Sequence, residues 1–92
     1  MQRKCRRVYY SGQVQGVGFR FTARHLARAF DVAGYVRNLP DGRVELVAEG
    51  DPGKIDRLLQ ALRVEMGDFI GDESIESCPP PPEPFTGFTV RY

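Results

Sequence analysis

The chain has 92 residues, 41% of them hydrophobic and 27% charged, with a formal net charge of +1. That length sets a single domain, residues 1–92, with a thin core, and no apolar run approaches the ~20 residues of a membrane span. The basic start Met1-Gln2-Arg3-Lys4 is not followed by the apolar stretch of a secretory signal, so a cytoplasmic protein with no membrane partner is expected.

The first strand is expected over residues 6–14, where Val8, Tyr10, Gly12 and Val14 alternate onto one side. Gln15-Gly16-Val17-Gly18 is a glycine-rich turn, after which the period changes. Phe19, Ala23, Leu26, Ala27 and Phe30 share one face of a helix that stops near Asp31, while Arg20, Arg24 and Arg28 run along another. Tyr35 to Leu39 reads as a second strand, Pro40-Asp41-Gly42 as a tight turn, and Arg43 to Glu49 as the returning strand of a hairpin. Asp51 and Pro52 supply the cap and first turn of a second helix, with Ile55, Leu58, Leu59, Leu62 and Met66 as its apolar stripe. Residues from about Phe69 to Cys78 are strand-like, Pro79 to Pro84 is a stiff connector, and Phe88 to Tyr92 is a short terminal strand. The order β-α-β-β-α-β plus a terminal strand implies an α+β fold. It is the ferredoxin-like split β-α-β sandwich, an antiparallel sheet with two helices on one face.

Charge is unevenly spread. Residues 1–30 hold seven basic groups and no acid, and all twelve acids lie in residues 31–92. An electropositive block suits an anionic ligand, and interleaving with the acidic remainder on folding would erase it. Composition leaves both open. The loop is more specific. Gly16 and Gly18 can take positive φ and expose successive N–H groups, and the loop runs into a helix start whose own N–H groups lack partners. No Ser, Thr, Asp or Asn caps that helix. Arg20 and Arg24 instead sit in its first turns, where the helix dipole disfavours cations. One bound phosphate would relieve all three features. A plain tight turn before a surface helix is the other reading. Asn38 ends the second strand, on the sheet edge where the first strand also ends, and an amide there can hold a water as donor and acceptor. By itself, Asn38 also fits an ordinary turn residue.

Two blocks carry a resemblance. Gly12-Gln13-Val14-Gln15-Gly16-Val17-Gly18-Phe19-Arg20 resembles the first acylphosphatase signature. Gly34-Tyr35-Val36-Arg37-Asn38-Leu39-Pro40-Asp41-Gly42, continued by Val44-Glu45, resembles the second. The similarity spans nearly the whole chain, with Tyr35 standing where Trp is common in relatives. The resemblance implies a small metal-free acylphosphatase without a cofactor, which hydrolyses acyl phosphates to a carboxylate and inorganic phosphate. It implies Arg20 as the phosphate-binding arginine, Asn38 as the water-orienting asparagine, and backbone amides of Gln15, Gly16, Val17, Gly18 and Phe19 as the phosphate cradle. The expected ligands are a small acyl phosphate and inorganic phosphate, and a monomer is expected.

A carboxylate leaves without a general acid, so positioning and electrostatic stabilisation suffice. His25 lies a turn into the helix and is read as a surface or structural residue. Cys5 and Cys78 lack metal-site spacing; ordinary free thiols are the default, and a disulfide between adjacent strands is the alternative. RNA-recognition motifs share the element order, but the third strand carries no aromatic residue, so no nucleic acid partner is expected.

Overall fold

The computed structural model describes residues 3–92. Strand β1 (Lys4–Gly12) leads through the glycine loop into helix α1 (Phe19–Ala29) and strand β2 (Ala33–Asn38). The hairpin returns along β3 (Val44–Gly50) to helix α2 (Pro52–Met66). A 3-10 turn (Gly67–Phe69) precedes β4 (Ile70–Ser77), and β5 (Phe88–Arg91) closes the chain. The sheet order is β4-β1-β3-β2-β5.

The order follows from two split crossovers. β1 and β2 lie on either side of β3, each antiparallel to it, so they are parallel to one another and end on the same sheet edge. β4 pairs antiparallel with β1 on the other flank. β5 corrects the expected all-antiparallel sheet: it pairs parallel with β2, Val36 beside Val90, and makes the sheet mixed. The proline connector has no regular structure and carries the chain from β4 on one edge to β5 on the other.

The core lies between one sheet face and both helices. Val8, Tyr10, Val36, Leu46 and Phe88 point up from the sheet, and Phe19, Ala23, Ala27, Ile55, Leu58 and Leu62 come down onto them. The apolar stripe expected on α2 is buried in full. Asp51 caps α2 as expected, its carboxylate accepting the Lys54 N–H at 3.1 Å. At Gly34, with φ of +140°, an added Cβ would collide with the Val47 carbonyl oxygen, so β2 and β3 can approach there only without a side chain.

Among the described residues no helix covers the opposite sheet face, yet β3 buries two glutamates there. Glu45 accepts from the Arg37 Nε at 2.8 Å and from the Tyr35 hydroxyl at 3.2 Å, with the Arg7 Nε 3.7 Å away. Glu49 accepts from the Arg3 guanidinium at 2.6 Å and from the Phe85 N–H at 3.1 Å. Buried carboxylates persist because they are paired and hydrogen-bonded. Burial, then the Glu45 charge, pushes the Tyr35 hydroxyl above its ordinary pKa.

The first strand begins and ends two residues earlier than its alternation suggests. The register slips between Ser11 and Gly12, and the Gln13 N–H turns to the Phe69 carbonyl at 2.9 Å. Val14 is buried from the loop beyond the strand, so the apolar period outlasts the ladder. Free thiols are also overturned. Antiparallel pairing brings Cys5 of β1 beside Cys78, with Cα atoms 5.3 Å apart, and the two form a disulfide.

Candidate active site

The site lies where β1 and β2 end. From Gln15 to Phe21, no backbone N–H finds an acceptor among the described residues. Gly16 and Gly18 make this possible. Their φ values of 78° and 81° turn the chain left-handed, and a Cβ at either would meet only open space. Conformation, not crowding, therefore calls for glycine at both positions. Gly18 stands at the α1 N-cap in the left-handed region with no side-chain cap, and the first turn holds no acid. The result is a concave run of donors at the positive end of a helix.

Val14, Gly16, Gly18, Phe19, Arg20, Phe21 and Asn38 line one cavity of about 250 Å³. Arg20 is half-buried there and makes no ion pair among the described residues. Its guanidinium lies 4.9 Å from the centre of the Tyr92 ring, a cation–π contact that limits where the fork can swing. Asn38 faces it from the end of β2. The Asn38 Oδ1 is buried without a hydrogen-bond partner, an acceptor aimed at whatever occupies the cavity.

Gln15 sets the spacing between the halves. Its side-chain Nε2 donates to the carbonyls of Leu39 and Arg43, both at 2.9 Å, and so ties the loop to the β2–β3 hairpin. The hairpin is itself braced, since Asp41 accepts the Arg43 N–H at 3.1 Å and its Nε at 2.8 Å. Those contacts hold the Asp41 carboxyl below the usual carboxylate range, the backbone bond most strongly.

Of the residues singled out in the sequence, Gly16, Gly18, Phe19, Arg20 and Asn38 meet at the cavity. The Gln15 side chain turns to the hairpin and Val17 packs on the core, and neither residue lines the cavity. His25 is exposed on α1 and does not line the cavity. Sequence reasoning missed Phe21 at the rim and Tyr92 on Arg20. Phe21 falls off the apolar face of α1, which was a readable signal; a terminal aromatic offers none. Among the described residues, no group of three His, Cys, Asp or Glu side chains gathers to hold a metal. A larger hollow of about 420 Å³ lies at the opposite end of the sheet, lined by the ion pairs Arg3–Glu49 and Lys54–Asp31 and by Arg28 and Asp51.

A split β-α-β domain with a donor-lined loop, an unpaired arginine and an orphaned amide oxygen defines a class: a small enzyme built around an oxyanion. The acylphosphatase family model matches residues 6–90. An acylphosphatase of Yersinia pseudotuberculosis serotype O:1b (strain IP 31758) is 39% identical over 85 residues, covering 92% of each chain. The crystal structure of acylphosphatase from Bacillus subtilis superposes with a TM-score of 0.84 at 29% identity, over 99% of this chain and 100% of that one. An acylphosphatase from Coxiella burnetii does so with a TM-score of 0.81 at 33% identity, over 97% and 93%. The chain belongs to the acylphosphatase family and is a hydrolase of acyl phosphates, which it splits into carboxylate and phosphate.

Proposed function

We propose that Arg20 and the backbone amides of Gln15 to Phe19 hold the phosphoryl group of the acyl phosphate, and that Asn38 places the attacking water. One observation carries this reading: Gly16, Gly18 and Phe19, whose N–H groups have no acceptor among the described residues, line one cavity with the unpaired Arg20 and with Asn38, whose Oδ1 is orphaned.

The Arg20 fork takes two phosphoryl oxygens, and the loop amides take the oxygens it leaves. As the bond to the acyl oxygen stretches, charge spreads over these oxygens, and donors fixed by the fold stabilise it without reorganising. The Asn38 Oδ1 accepts a hydrogen bond from the water and aims the water's lone pair at phosphorus. Among the described residues Arg20 is the only titratable side chain lining the cavity, so the phosphoryl group itself takes the proton that the attacking water gives up. The carboxylate leaves as its own anion and needs no acid. No metal or cofactor enters this scheme, and inorganic phosphate binds as product in the same cradle.

A monomer acting in the cytoplasm completes the proposal. The outer strand β4 carries Asp72, Glu73 and Glu76, and charged side chains along an edge strand oppose pairing with a second copy. An acyl phosphate is a charged, labile anhydride that does not cross a bilayer, so its hydrolase belongs where it is made.

Phosphate binding and turnover separate the two residues. In calorimetric titration with inorganic phosphate, Arg20→Ala should lose binding, whereas Asn38→Ala should keep it and lower kcat by ~10²–10³. Tight phosphate binding by Arg20→Ala, or unimpaired turnover by Asn38→Ala, would overturn the assignment.

A further inference from the structure

With the phosphoryl group held by Arg20 and the loop amides, the acyl chain runs from it towards the rim of the cavity, where Phe21 stands. Phe21 lines the rim and is 52% exposed, unusual for a phenylalanine in a helix beside a core. The Arg24 guanidinium sits 5.2 Å from the centre of that ring. Arg24 is half-buried and makes no ion pair or side-chain hydrogen bond among the described residues. A solvated arginine would swing free; this one is laid over the aromatic face, next to the site.

Arg24 follows Arg20 by one helical turn, a rise of ~6 Å, on the same side of α1. Two guanidinium groups without acidic partners among the described residues thus stand in line, one lining the phosphate cavity and one beside the Phe21 ring at its rim. Resting on the reading of Arg20 given above, we propose that Arg24, seated on Phe21, recognises a second anionic group at the far end of the acyl chain. The enzyme would therefore favour acyl phosphates whose acyl group ends in a carboxylate or a further phosphate. Phe21 packs on the carbon chain between the two charges and holds the Arg24 guanidinium against it.

The test is a matched pair of substrates with the same carbon chain, butyryl phosphate and succinyl phosphate, which differ in the terminal carboxylate. Wild-type protein should have a kcat/KM roughly fivefold higher for succinyl phosphate, expressed in KM and shrinking as ionic strength rises. Arg24→Gln should erase that preference while leaving butyryl phosphate within about twofold of wild type, and Arg24→Lys should restore part of it. Equal activity of the wild type on both substrates, or a loss in Arg24→Gln that falls equally on both, would overturn the proposal. Absence of turnover with either substrate would instead refute the reading of the site on which it rests.

Discussion

The Cys5–Cys78 bridge should carry a large share of this protein's stability. The cysteines are 73 residues apart, so the bond closes almost the whole chain into one loop. The chain-entropy relation for a loop of that size gives about 4.4 kcal/mol at 25 °C. A domain of this length is worth only ~5–10 kcal/mol in total, so the bridge rivals the margin that the rest of the fold supplies. Replacing both cysteines by serine, or reducing the wild type, should lower the melting temperature by roughly 20 °C. The assay is thermal unfolding followed by far-ultraviolet circular dichroism, on oxidised wild type, reduced wild type and the Cys5→Ser/Cys78→Ser variant. The two bridge-free forms should coincide. Activity per folded molecule should be unchanged at low temperature, because the bond joins β1 and β4 at the sheet end away from Arg20 and Asn38. A shift of only ~2 °C on reduction would refute the loop-closure reasoning, as would two free thiols titrating in oxidised, denatured protein.

Two further outcomes follow from contacts around the site and the core. Gln15→Ala removes the tether to Leu39 and Arg43, so kcat should fall roughly tenfold by letting the loop and Asn38 drift apart, with a stability loss of about 1–2 kcal/mol; unchanged kcat beside that stability loss would make Gln15 merely structural. Tyr10 is fully buried, and burial, then the Glu73 charge, pushes its hydroxyl well above the ordinary value. Its neutral form is therefore favoured in the folded state: stability is complete below the unfolded value near 10 and is lost as pH rises beyond it. Tyr10's share of the loss should reach about 1.4 kcal/mol by pH 11. Denaturant titrations at pH 9 and pH 11 should show a smaller drop in Tyr10→Phe than in wild type, and equal drops would contradict the buried phenol.

Much of this architecture could be read from residue pattern because its local signals agree with the global fold. The change from a period of two to one of 3.6 at Phe19 located the loop, and the missing cap with arginines in its place favoured a bound anion over a plain turn. Topology put Asn38 on the edge where the first strand also ends, since strands joined by a split crossover end on one edge, but its role came from the family resemblance alone. The Ser11/Gly12 slip stayed hidden because Val14 continues the apolar alternation after the ladder has ended. The direction of β5 was hidden as well: four residues after a proline connector carry no information on which neighbour they pair with. The Gln15 tether and the Tyr92 stack are long-range contacts between residues that have ordinary surface identities in sequence. The disulfide was open for a different reason, since two cysteines give proximity only once the register of β1 and β4 is known.

The most direct test of the central assignment is the hydrolysis of benzoyl phosphate by purified protein, followed by ultraviolet absorbance with EDTA present, for wild type and Arg20→Ala. Rapid turnover that survives chelation and vanishes in Arg20→Ala is the predicted result. Turnover retained by folded Arg20→Ala, or abolished in the wild type by EDTA, would contradict it.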